Sequence, residues 1–182
     1  MANIVILGAG SMGTAFSVPC SDNNHSVSIV GTYLENDFID KINIEKKHPS
    51  LGCEIPEGVK FSKFENIKKE INKEIDLIVV AVISNGIEWA SNELSKVIKK
   101  NIPILILTKG LAIYNNNYEI LAHKMERLFK KNGIKQTNIS AAGGPCLARG
   151  LANRVHTSVV FANNDINVAN KISNLVRTNY YH

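Results

Sequence analysis

Ile4-Val5-Ile6-Leu7-Gly8-Ala9-Gly10-Ser11-Met12-Gly13 is the stretch that decides how this chain reads. Its first four residues are an apolar, β-rich run of the kind that forms a buried strand. They lead straight into a G-x-G-x-x-G, and residues 12–20 read as the helix that follows, ending at the turn Asp22-Asn23-Asn24. Each glycine then has a physical task. Gly8 makes the tight turn, Gly10 lets backbone approach a pyrophosphate, and Gly13 lets the helix pack closely on the strand. The helix N-terminus offers free N–H groups and a positive dipole end to phosphates. Alone the motif reads equally as a glycine-rich turn. With a second strand at 27–30, all three parts stand where dinucleotide binding requires them.

Outward from that motif the alternation continues. A helix is expected at 36–45, with Phe38, Ile39, Ile42 and Ile44 on or near its inner face, and the Pro- and Gly-containing stretch 48–59 is a loop. A short helix at 63–71, the strongest strand at 77–82, a helix at 85–99 and a strand at 103–107 follow. A helix at 118–131, strands at 138–142 and 159–161 and a helix at 165–177 complete the series. Strands alternating with helices of this length predict an α/β fold, a Rossmann-type doubly wound, mostly parallel sheet covered on both faces. Residues 1–182 are expected to form a single domain without internal repeats.

Composition narrows the classes. With 45% hydrophobic and 20% charged residues, the 182-residue chain has the balance of an ordinary globular protein. Such a domain buries roughly 70% of its unfolded surface and needs no disulfide or metal to fold. Cys20, Cys53 and Cys146 are odd in number and widely spaced, and no Cys/His cluster has metal-ligand spacing, which fits a reducing compartment. The N-terminus lacks the basic region and apolar run of a signal peptide, and no apolar stretch is long enough to span a bilayer, so a cytoplasmic location without membrane partners is expected. The net charge of +5 comes from scattered lysines near helix ends, a pattern that favours a pocket for an anionic small ligand over nucleic acid.

The candidate site residues lie at strand ends. After the second strand, Gly31-Thr32-Tyr33 carries no acid, and the first one, Glu35, stands beyond the position where an NAD site holds its ribose. Nothing there repels a 2′-phosphate, and Thr32 and Tyr33 offer it donors, so NAD(P) with NADP slightly favoured is the expected cofactor. Ser84 follows the strand at 77–82 and either faces the cofactor crevice or caps the next helix. Lys109 in Thr108-Lys109-Gly110 points into the same crevice, where an ammonium neutralises phosphate or polarises a carbonyl. Gly143-Gly144-Pro145-Cys146-Leu147-Ala148 follows another strand, with Pro145 expected in the first turn of a helix. Cys146 has no His/Asn partner and reads as a packing residue. Trp89 reads as core.

Together these stations resemble the N-terminal domain of the NAD(P)-dependent glycerol-3-phosphate dehydrogenases. GAGSMGTA resembles that family's GAGSWGTA, TKGL its TKGL, and GGPCLA its GPSFA, while HPSLG and Phe16-Ser17-Val18-Pro19 are similar to its archaeal-type branch. The resemblance implies an oxidoreductase of glycerophospholipid metabolism that interconverts dihydroxyacetone phosphate and sn-glycerol 3-phosphate, and a full-length homodimer. It places Ser11 and Met12 at the cofactor phosphates and nicotinamide, and Ala148 along the cofactor. Lys109 becomes a catalytic residue touching both cofactor and substrate, and Gly144 and Cys146 substrate contacts. Thr32 stands where many relatives read the 2′-phosphate with a basic residue.

Departures accompany the likeness. Met12 replaces an aromatic residue, Cys146 a serine, Gly150 a glutamate and His156 a proline. The family's helical substrate domain supplies the general acid/base lysine in a GALKN-like motif, and no such motif occurs in this chain. The 182 residues alone are therefore expected to bind cofactor and to turn over poorly or not at all. Two alternatives compete: the cofactor domain of another β-hydroxyacid or ketone reductase, and a dinucleotide-binding module without catalysis.

Overall fold

A computed structural model of the chain describes residues 1–71 and 74–182. Strands β1 (Asn3–Leu7), β2 (Ser26–Val30), β3 (Lys60–Ser62), β4 (Leu77–Val80), β5 (Pro103–Ile106), β8 (Asn138–Gly143) and β9 (Val160–Ala162) form one sheet in the order β3-β2-β1-β4-β5-β8-β9. All neighbours are parallel except β8 and β9. The helices are α1 (Ser11–Asp22), α2 (Asn36–Glu45), α3 (Ile67–Ile71), α4 (Ile87–Val97), α5 (Leu121–Lys131), α6 (Ala148–Ala152) and α7 (Ile166–Val176). Strands β6 (Leu111–Tyr114) and β7 (Asn117–Ile120) form a separate antiparallel hairpin. None of the described helices is long and apolar enough to cross a membrane.

The uninterrupted apolar runs follow from burial of both sheet faces. In β1, Ile4 and Ile6 join a core that includes Phe16 and Val18 of α1, Ile39 and Ile42 of α2, Leu151 of α6 and Ile172 of α7. Val5 and Leu7 face the opposite core, with Ile87 and Leu94 of α4 and Met125 and Phe129 of α5. The period of two repeats in β4, where Leu77 and Val79 take the first side and Ile78 and Val80 the second.

Four expectations need correction. The helix expected at 118–131 starts only at Leu121, because residues 117–120 pair with β6. The turn between them is Asn115-Asn116, both at positive φ (50° and 61°), the conformation a two-residue hairpin requires and Asn tolerates. Arg127 of α5 fastens the hairpin: it donates to both Glu119 oxygens (3.0 and 2.8 Å) and lies 3.7 Å from the Tyr114 ring centroid. Ile44 is 81% exposed, on the outer side of α2. Pro145 precedes α6, which begins at Ala148. The edge strand β3, with Phe61 buried, follows directly on the predicted loop and was not expected.

One polar junction ties α1 to the chain beyond α6. Arg154 donates to both Asp22 oxygens (2.7 Å each), and the Tyr180 hydroxyl donates to Asp22 Oδ2 at 2.6 Å. The Arg154 hydrogen bonds hold the Asp22 carboxyl below its ordinary pKa, against the opposing effect of burial. A depressed folded-state pKa contributes stability that is full above the unfolded value and lost as pH falls through the folded one. Asp22→Asn should therefore cost about 1–2 kcal/mol at pH 7, discounted for the half-exposed Arg154. Urea midpoints of the two proteins should draw together as pH falls below the ordinary carboxylate range; an undiminished gap would show that the charge is irrelevant.

Candidate functional site

The glycine loop lies at the carboxyl ends of β1 and β4, where the chain order reverses, with β2 on one side of β1 and β4 on the other. In an open α/β sheet this crevice is where ligands bind. Gly8 has φ +110°, and a Cβ there would stand 2.7 Å from the Ala81 carbonyl oxygen; one on Gly13 would stand 2.1 Å from the Gly8 carbonyl oxygen. Both glycines are required by close backbone approach. Gly10 is different. Its Cβ position meets nothing nearer than Glu35 Oε1 at 3.8 Å, so backbone faces open space at the head of the 12-residue helix α1, which has no side-chain cap. That cradle, backbone bare on one side and locked on the other, fits a dinucleotide pyrophosphate.

Cavities flank the loop on both sides. The first, about 390 Å³, is lined by Gly8, Gly10, Thr32, Tyr33, Glu35, Ala81, Val82 and Trp89 among others. Tyr33 and Trp89 meet edge to face at 5.4 Å, and Phe64 supports Trp89 from 4.9 Å. Trp89 is thus a cavity wall and not simply core. The second cavity, about 310 Å³, is lined by Met12, Leu107, Lys109, Gly144, Cys146 and Tyr181 among others.

Around the second cavity the β5 and β8 ends converge. Lys109 is exposed and its ammonium donates to the Gly144 carbonyl, which also accepts the Cys146 N–H at 3.0 Å. Gly144 has φ +112° and lies against Ser158 and Val159, so this carbonyl is fixed in space. Burial pushes the Cys146 thiol up in pKa, opposed by the Lys109 charge and a Thr157 hydrogen bond. A thiol kept protonated is a packing group rather than a nucleophile. Thr108 Oγ1 donates to the Val82 carbonyl at 2.5 Å, joining the β4 and β5 loops.

Ser84 is exposed in the turn before α4, near Gly110, and caps neither that turn nor the helix. Ser11 opens α1, and Ala148 opens α6, half-buried against the core. Ser11, Gly13, Ser84 and Ala148 line neither cavity, and the other sequence-predicted residues fall into two groups. Gly8, Gly10, Thr32 and Tyr33 line the first cavity; Met12, Lys109, Gly144 and Cys146 line the second.

Glu35 departs most from expectation. Its Oε2 accepts the Thr32 N–H at 2.6 Å and the Ala9 N–H at 3.2 Å, which brings the carboxylate back onto the glycine loop. Beside it His48 is buried, stacked edgewise on Phe38 at 5.0 Å and accepting the Ser50 N–H at Nδ1. Burial lowers the imidazole pKa, against the opposing effects of the Ala9 backbone and the Glu35 charge. Among the described residues, no group of three or more His, Cys, Asp or Glu side chains could hold a metal ion.

Comparison with known proteins agrees with this geometry. A family model described as NAD-dependent glycerol-3-phosphate dehydrogenase N-terminus matches residues 3–169. The NADP(+)-dependent glycerol-3-phosphate dehydrogenase of Archaeoglobus fulgidus is 30% identical over 178 residues, covering 98% of this chain and 51% of that protein. The glycerol-3-phosphate dehydrogenase [NAD(P)+] of Rickettsia typhi is 33% identical over 173 residues, 94% of this chain and 50% of that one. The chain spans about half the length of the curated relatives it matches. In fold it is similar to the crystal structure of glycerol-3-phosphate dehydrogenase from Coxiella burnetii, with a TM-score of 0.82 at 22% identity over 100% of this chain and 52% of that one.

Proposed function

This chain belongs to the family of N-terminal domains of NAD-dependent glycerol-3-phosphate dehydrogenases, and from that premise we propose that it is the dinucleotide-holding half of an enzyme interconverting dihydroxyacetone phosphate and sn-glycerol 3-phosphate. The observation that carries the reading is the glycine loop: closed at Gly8 and Gly13, open at Gly10, with a cavity on each side. Family membership sets aside the alternative of another reductase's cofactor domain.

The residues divide the work by position. Gly10 and the first turn of α1, including Ser11, hold the pyrophosphate, while Thr32, Tyr33 and Trp89 border the adenosine side. Met12 and Cys146 shape the nicotinamide and substrate side, with Ala148 behind them at the head of α6 and Ser84 at the rim near Gly110. When bound, the reduced nicotinamide supplies the hydride. Lys109 is the cation at that end, since no other Lys or Arg is among the described residues lining the second cavity. Its ammonium neutralises charge that develops on the substrate oxygen or is carried by the substrate phosphate. The Gly144 carbonyl holds it in place and accepts only one of its three protons, which leaves donors for the substrate.

A positioned general acid contributes about 10²–10⁴-fold in rate, and proximity to a clamped substrate several kcal/mol more. In this proposal both come from outside the 182 residues, so the chain alone binds cofactor without appreciable turnover. Titration with NADH and NADPH, followed by nicotinamide fluorescence, should show saturable one-site binding. A folded protein that binds neither would overturn the dinucleotide reading, and reduction of dihydroxyacetone phosphate at ordinary enzyme rates would overturn the division of labour. Lys109→Met should weaken dinucleotide binding by about tenfold or less while leaving Tm unchanged, because Lys109 is exposed and stands at the end of the site assigned to the nicotinamide.

A further inference from the structure

Resting on that reading of the site, we infer that Glu35 is its specificity-determining residue: its carboxylate receives the 2′-hydroxyl of the adenosine ribose and repels a 2′-phosphate, so that the chain takes NAD(H) in preference to NADP(H). The names of similar proteins do not decide the matter, since the Archaeoglobus fulgidus relative is NADP(+)-dependent and the family description says NAD-dependent. The geometry does. Glu35 Oε2 is occupied by the Thr32 and Ala9 N–H groups, which fix the carboxylate against the loop from two directions. Oε1 accepts no hydrogen bond from a described residue and lies on the Gly10 side, toward the cavity. A carboxylate retains several acceptor positions after two bonds, so it is built to receive a hydroxyl.

Among the described residues no lysine or arginine offsets it, and burial holds the neighbouring His48 toward its neutral form. The cavity lining contains no Lys, Arg or His, and among the described residues none forms an ion pair with Glu35. A dianionic 2′-phosphate placed here would face a fixed anion in a mostly apolar wall, where screening is weaker than in bulk water. The Thr32 N–H, which could otherwise serve such a phosphate, is already spent on Glu35.

The test is a set of dissociation constants for the 182-residue chain at low ionic strength. NADH should bind about tenfold or more tightly than NADPH, and 5′-ADP tighter than 2′,5′-ADP by a similar factor. Raising the salt should narrow both gaps. Glu35→Gln keeps an acceptor for the two N–H groups and removes the charge, so the NADH/NADPH ratio should fall by about tenfold, mainly through tighter NADPH. Equal or tighter binding of NADPH by the unaltered chain overturns the assignment. So does a variant that weakens both cofactors equally, since that is the mark of a merely structural role. Should Glu35→Gln fail to fold, the two adenosine phosphates on the unaltered chain decide alone. Binding of neither cofactor by the folded chain would instead overturn the dinucleotide reading on which this rests.

Discussion

Replacing Gly13 with alanine should destabilise the chain by about 3 kcal/mol or more and abolish dinucleotide binding. The new Cβ would stand 2.1 Å from the Gly8 carbonyl oxygen and 3.1 Å from the Ala81 Cβ. The nearest obstacle is backbone, so no side-chain rotation relieves it. The first turn of α1 must instead lift from the loop by about an ångström, against tight packing of its buried residues on the sheet. Gly10→Ala is the informative contrast. Its φ is −64° and the new methyl meets nothing within 3.4 Å, so the fold should lose at most about 1 kcal/mol. The methyl nevertheless occupies the one side where the loop is bare, and cofactor affinity should fall by about tenfold or more. Denaturant midpoints and an NADH titration of both variants check this pair. Unimpaired binding by Gly10→Ala would show that the open side of the loop is not where the pyrophosphate lies.

Tyr181→Ala should cost about 3–5 kcal/mol, a second large effect with a different origin. Tyr181 is among the largest fully buried side chains, with Phe16 edge-on at 6.1 Å and Phe161 at 6.3 Å. It also forms part of the wall of the Lys109 cavity. Removing the ring opens a void between α1, β9 and the Cys146 loop that these neighbours cannot fill. Burial pushes the phenol pKa up, so the hydroxyl stays neutral across the working range. Tyr181→Phe should therefore remain within about 1.5 kcal/mol of the parent. A small loss for Tyr181→Ala in urea would mean that the side chain is less enclosed than its 1% exposure indicates.

What the sequence discloses of this protein follows from how local each cause is. The central strands were legible because burial on both faces demands continuous apolar residues, as Ile4–Leu7 and Leu77–Val80 supply. The glycine loop was legible because three backbone constraints fall within six residues. Lys109 and Gly144 were legible as strand-end residues, although only the fold shows the ammonium resting on the Gly144 carbonyl. The β6–β7 hairpin escaped because Tyr118 and Glu119 run without a break into the pattern of α5, and the Asn115-Asn116 turn is a weaker signal than a glycine. Glu35 was misplaced for a related reason. Counted along the chain it lies past the end of β2, yet a turn from Thr32 to Glu35 carries its carboxylate back to Ala9. Trp89 gave no sign at all, since a tryptophan in a helix reads the same against core or cavity.

The sheet order also has a consequence in time. Strand β1 is an interior one, hydrogen-bonded to β2 and, with Ile4 opposite Leu77, to a strand roughly 70 residues further on. As the polypeptide emerges, β1 and β2 can pair early, but the pocket's floor exists only after β4 has arrived to close the long loop between them. Folding should thus be limited by a non-local search in which the apolar edge of β1 waits unpaired. Fast refolding in microseconds is not expected, and the dinucleotide, which meets its site only when β1 and β4 are joined, should slow unfolding more than it hastens folding.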